Sequence, residues 1–175
     1  DVDRLAQALF SKTKDLRVGA LLALANTYLA GVEGYSAGLD LLVTLCERYW
    51  DHVHPLIEVE GDTDPFMRMN ALASLADGDG HGLLRALRTS RLVTQPISVT
   101  VRDAELTFGK APEAQYSEAQ LLSALGDALN SESGAIVAFL KIYEDIKRLR
   151  AILDDKVSPV DQPDLDAIDS AVKTV

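Results

Sequence analysis

Apolar positions recur at helical intervals along most of the chain. From Leu16 to Leu29 they lie on almost every side (Leu21, Leu22, Leu24, Ala25, Tyr28, Leu29), which predicts a central helix packed on several faces. Gly31 and Gly34 are expected to end it, and Ser36 to cap a second helix. The apolar face of that helix is Leu39, Leu42, Val43, Cys46, Tyr49 and Trp50, with Pro55 marking the stop. Asp64-Pro65 reads as a helix start, a capping carboxylate followed by proline at the first helical position. The helix over 66–76 should halt at Asp77-Gly78-Asp79-Gly80, and a short one follows over 82–88.

The 92–108 stretch is the least helical. Ile97, Val99 and Val101 alternate with Ser98, Thr100 and Arg102, the period of an edge strand, while Thr100 also suits a helix cap. An extended segment leading into a short helix is the preferred reading. Ser117 with Gln120 predicts a capping box opening a helix through Leu121, Leu122, Leu125 and Leu129. The longest single stripe runs over 134–153 through Ile136, Phe139, Leu140, Tyr143, Ile146, Leu149 and Leu153. Lys141/Asp145 and Glu144/Arg148 are expected as charge pairs on its outer faces. The pattern predicts an all-α fold, a multi-helix bundle of seven or eight helices with at most one short extended segment near 96–101.

Charge sharpens this picture. Seventeen basic residues against twenty-seven acidic give a net charge of −10 over 175 residues. Such a surface repels phosphate backbones and anionic lipid, so neither nucleic-acid binding nor membrane insertion is expected. The longest uncharged run, 18–32, has fifteen residues, shorter than a bilayer-spanning helix needs. The acidic loop contributes Glu58, Glu60, Asp62 and Asp64. Residues 154–169 hold six aspartates and one lysine, broken by Pro159 and Pro163. We therefore expect one helical domain over 1–155 and an acidic linker over 156–175 with a short terminal helix. Cys46 is the only cysteine, which suits a reducing, cytoplasmic setting.

Candidate chemistry is sparse. Gly34-Tyr35-Ser36-Ala37-Gly38 spells the G-x-S-x-G elbow of serine hydrolases, but that turn needs a preceding strand and a parallel sheet. The cap reading of Ser36 is preferred, leaving a hydrolase based on Ser36 as a distant alternative. His52, His54, His81 and Cys46 lack the paired spacing of zinc ligands. The acidic glycine loops lack a glutamate at the twelfth calcium-loop position. No catalytic, cofactor or metal residues are assigned. Arg85, Arg88 and Arg91 form a basic stripe at three-residue spacing, a candidate interaction patch for an acidic protein.

One ordered set of motifs is more specific. Ser11-Lys12-Thr13-Lys14-Asp15-Leu16-Arg17 is followed by Glu47-Arg48-Tyr49-Trp50-Asp51-His52-Val53-His54-Pro55, then by Arg68-Met69-Asn70-Ala71-Leu72. The arrangement resembles the ImpA N-terminal domain family, found in TssA-type proteins of the bacterial type VI secretion system. The firm resemblance covers about residues 10–92, with Thr13 interrupting the usual run. By this comparison the domain lacks its leading segment and any ring-forming C-terminal region. The resemblance implies a non-enzymatic interaction domain contacting baseplate, sheath or tube components during tail assembly. A sheath-capping or sheath-anchoring accessory protein is the alternative within the family. It also implies that the full-length protein is a homo-oligomer through a region not in this chain. The signature residues are Leu16, Arg17, Arg48, Tyr49, Trp50, Asp51, His54, Pro55, Arg68, Asn70 and Leu72. We read them as structural: Tyr49 and Trp50 as anchors, Pro55 as the turn, Arg68 and Asn70 as donors to loop carbonyls.

Overall fold

The computed structural model describes residues 2–59 and 61–175, so Glu60 of the acidic loop lies outside the described residues. The helices are α1 (Val2–Phe10), α2 (Leu16–Tyr49), α3 (Phe66–Ala73), α4 (Leu83–Thr89), α5 (Val101–Phe108), α6 (Glu118–Asn130), α7 (Gly134–Lys156) and α8 (Asp166–Thr174). A 3-10 turn, Ser74–Ala76, extends α3. The expected multi-helix fold is observed, but the expectation of at most one short extended segment near 96–101 is corrected, because two loops fold back and pair their own backbones. Two small antiparallel pairs accompany the helices: β1 (Glu58–Val59) with β2 (Asp62–Thr63), and β3 (Arg91–Val93) with β4 (Val99–Thr100).

The centre of the fold is α2, which is a hairpin. At Gly31 the backbone takes φ 61° and ψ −132°, a conformation that side chains disfavour, and the chain reverses. A straight helix of 34 residues would be about 51 Å long. Instead the amide of Leu16, at its start, donates to the carbonyl of His54, just past its end, at 2.8 Å. The limbs, 16–30 and 32–49, lie antiparallel with Gly19 facing Leu42, Ala23 facing Gly38 and Asn26 facing Gly34. Each limb is shorter than the roughly 30 Å of a hydrocarbon core, although α2 taken as one helix has the length and hydropathy of a membrane span.

This corrects two expectations. Gly34 does not end a helix and Ser36 does not cap one: both sit inside the second limb, buried. Gly34 and Gly38 are present because the first limb leaves no room for a Cβ. Gly31 alone makes the break.

The hairpin buries Leu16, Leu39, Leu42, Val43 and Cys46 against α3, α4 and α7. Tyr35 is fully enclosed, and its hydroxyl donates to the carbonyl of Leu75 at 3.1 Å. Tyr35→Phe is expected to lower stability by about 1–2 kcal/mol, read in urea titration, because that carbonyl loses its side-chain donor. α1, which the apolar pattern was not expected to yield, packs Ala6 and Phe10 on Val18, Leu22 and Leu41. Its signal was the four-residue spacing of Leu5 and Leu9 and of Ala6 and Phe10.

Helix starts follow their local chemistry. Asp64 accepts from the amide of Phe66 at 2.8 Å, Thr100 forms a capping box with Asp103, and Ser117 forms one with Gln120. In the 92–108 stretch both readings hold, since β4 runs directly into the helix that Thr100 caps.

On α7 the expected Lys141/Asp145 pair forms, but its carboxylate is not on an outer face, and the expected Glu144/Arg148 pair does not form. Asp145 is buried, and it accepts from Lys141 at 2.7 Å and Arg148 at 2.6 Å. Arg148 reaches across to Asp40 and Glu47 on the second limb, and Glu144 pairs with Lys147 instead. The network ties α7 to the hairpin. Hydrogen bonding from Lys141 holds the Asp40 carboxyl below the ordinary carboxylate range. Hydrogen bonding from Arg17 does the same for Asp15. Groups depressed in the folded state stabilise it above their unfolded pKa of about 4, and that stability disappears as pH falls through their lower folded values. Acid titration of the helical signal should therefore show stability falling below about pH 4, less steeply in Asp40→Asn.

Residues 156–175 do not form a free linker. Leu165, Ile168, Ala171 and Val172 are buried in the main core, and α8 packs on α5 and α7. Apolar side chains at helical spacing outweigh the dense aspartates, some of which pair with Arg150 and Lys173.

Candidate functional site

The signature segments converge at the open end of the hairpin. Asp15 caps the first limb, accepting from the amide of Arg17 at 2.9 Å, and holds the Arg17 guanidinium at 3.0 and 2.6 Å. The backbone there pairs with the loop after the second limb: His54 donates to the carbonyl of Lys14, and Leu16 to that of His54, both at 2.8 Å.

Arg68 braces the loop from α3. It is 1% exposed and donates to three carbonyls: Nε to Pro55 at 2.8 Å, Nη1 to Trp50 at 2.7 Å and Nη2 to Val53 at 2.6 Å. The carbonyls of residues 50, 53 and 55 meet three different edges of one guanidinium, and a planar fork of donors reaches all three where a lysine ammonium would not. The guanidinium also lies 4.9 Å from the centre of the half-buried Trp50 ring. Burial pushes the Arg68 pKa down from its ordinary value, countered by the fields of Cys46 and Asp51. Cys46, sealed nearby, has its thiol pushed up to about 12 by burial. Cys46 should therefore resist aromatic disulfide reagents in the native protein and react only on unfolding, which thiol titration with and without urea will read.

Of the other signature residues, Leu16, Pro55 and Leu72 are buried, and so is Val53, which was not among the residues expected to matter. Its signal was the lone apolar side chain in the polar run Asp51-His52-Val53-His54. Tyr49, expected as an anchor, is 38% exposed, with the Lys14 ammonium 4.9 Å above its ring. Arg48, Asp51, His54 and Asn70 are exposed, and among the described residues Asn70 makes no hydrogen bond to the loop. Arg85 and Arg91 are exposed too. Arg88 is held by both oxygens of Glu105, at 2.8 and 2.9 Å, and so joins α4 to α5.

Two shallow grooves near this end of the molecule share Asp64, and the first of them is lined by the braced loop. This one, about 650 Å³, is lined by Arg17, His54, Leu56, Ile57, Asp62 and Met67. The other runs between the start of α3 and residues 160–164. Among the described residues no three His, Cys, Asp or Glu side chains gather to hold a metal. Ser36 is buried in mid-helix, so the G-x-S-x-G letters do not build an elbow.

These features define a multi-helix protein whose most specific sequence motifs shape and brace a surface loop. A family model described as "ImpA, N-terminal, type VI secretion system" matches residues 1–77. The chain is 46% identical over 74 residues to the type VI secretion system component TssA1 of Pseudomonas aeruginosa. That alignment covers 42% of this chain and 22% of the relative, about a fifth of its length. The fold is shared with the N-terminal domain, including the conserved ImpA_N region, of the TssA component from Burkholderia cenocepacia. There the TM-score is 0.70 at 21% identity, over 99% of this chain and 73% of that one. Residues 1–77 thus carry the likeness to the ImpA N-terminal family of type VI secretion components, within a fold shared over nearly the whole chain. The matched residues start at position 1 and so include α1, which precedes the stretch of firm resemblance.

Proposed function

We propose that this region is a non-catalytic docking domain through which a TssA-type protein contacts baseplate, sheath or tube components during assembly of the contractile tail. The observation that carries the reading is the use of the signature residues. Arg68, Trp50 and Pro55 are committed to fixing a loop that also pairs with the backbone of Leu16, and that loop lines an open groove rather than an enclosed cleft. A rigid loop presents its contacts with little ordering entropy left to lose on binding. The work takes place in the cytoplasm, where a lone buried thiol such as Cys46 stays reduced. Oligomerisation of the whole protein is assigned to regions outside this chain.

The test is site-specific photo-crosslinking in the full-length parent protein, in cells assembling the secretion system. Probes placed at exposed positions around the molecule should trap tail components from at least one face. Probes on every face that trap none would remove the reading.

A further inference from the structure

Apolar side chains are exposed along the two grooves that share Asp64: Leu56 at 37% and Met67 at 50% on the first, Phe66 at 63% and Val160 at 89% on the second. The same grooves are lined by Asp62, Asp64, Asp161 and Asp164. None of the four is in an ion pair among the described residues. Asp64 and Asp164 are locked in place by accepting from the amides of Phe66 and Asp166, at 2.8 and 2.9 Å. The one arginine lining either groove, Arg17, is neutralised by its two-pronged bond to Asp15. The result is an apolar centre within a negative rim.

We propose that this surface, the first turn of α3 with residues 56–58, 61–64 and 160–164, docks a segment of a partner protein that carries Lys or Arg beside large apolar side chains. The proposal rests on the docking function above only in taking the occupant to be protein. Charge complementarity selects the occupant: a basic flank meets four carboxylates while an apolar anchor covers Phe66 and Val160. A second copy offering the same face would set carboxylates against carboxylates. An anionic membrane is repelled for the same reason.

The test uses the 175-residue chain as bait for a random-peptide display library, independent of any secretion component. Selected peptides should place Lys or Arg next to Leu, Ile or Phe. On titration they should shift the backbone resonances of residues 56–67 and 160–165. Their affinity should fall at least about tenfold in the Phe66→Ala/Val160→Ser double variant, and similarly in Asp62→Asn/Asp161→Asn. It should also weaken between about 50 and 500 mM salt, where exposed charges are increasingly screened. All four altered side chains are on the surface, so unchanged thermal unfolding separates lost binding from lost fold. Leu140→Ala, at an exposed site on α7, should leave affinity unchanged. Failure to enrich any peptide, enrichment of peptides without basic residues, or affinities untouched by both double variants would overturn the proposal. Such a result alongside crosslinks to tail components from another face would leave the docking function standing.

Discussion

Gly34→Ala is expected to destabilise the protein by at least about 3 kcal/mol, and to lower the cooperativity of unfolding. A Cβ at this position would fall onto the backbone carbonyl of Asn26 and within 2.9 Å of the amide nitrogen of Thr27. Backbone of a packed helix cannot step aside as a side chain would, so the limbs must separate. Gly38 is under the same constraint, with its added Cβ 2.6 Å from Ala23 Cα. Separating the limbs withdraws Leu39, Leu42 and Val43, all fully buried, from the core. Gly126→Ala is the control. It also lies inside a helix, but its Cβ would meet nothing, so it should raise stability by roughly 0.5–1 kcal/mol through the lower entropy of the unfolded chain. Urea denaturation of both variants decides the matter: equal effects would mean the limbs are not in contact at Gly34.

Arg68→Met should lower stability by about 3–5 kcal/mol, for a different reason. Methionine fills much of the space but leaves the carbonyls of Trp50, Val53 and Pro55 without their donor. For a chain of this length the loss corresponds to a fall in Tm of roughly 10–15 °C. Arg68→Lys should recover only a minor part, because one ammonium does not reach three acceptors set around the edge of a guanidinium. The loop, freed from its brace, should also gain amide exchange at residues 53–57 in both variants. Full recovery by lysine would show that positive charge alone, and not the fork, is what the loop requires.

The candidate site was partly legible before the structure. Donation from Arg68 to loop carbonyls was readable because an arginine and a proline-stopped loop share the ordered motif set. The companion expectation for Asn70 failed: on a short helix two residues beyond a buried Arg68, it points to the opposite side, into solvent. Tyr49 belongs to the apolar periodicity of its helix, yet ends on its open side under Lys14, since periodicity does not report which neighbours arrive.

The sequence by itself determined the helices, because apolar spacing, Asp64-Pro65, Thr100 and the Ser117–Gln120 pair act over a few residues. It also determined the acidic surface and the likeness of residues 1–77 to the ImpA N-terminal family. What only the tertiary structure decided depends on distant partners. Gly34 and Gly38 are clearances for a limb that returns from Gly31, Asp145 is buried because Arg148 and Lys141 neutralise it against the hairpin, and the aspartate-rich end folds because α5 and α7 offer α8 an apolar seat. Local patterns fix which segments are helical; which faces meet depends on packing between residues far apart in the chain, and that is where the proposed docking surface is made.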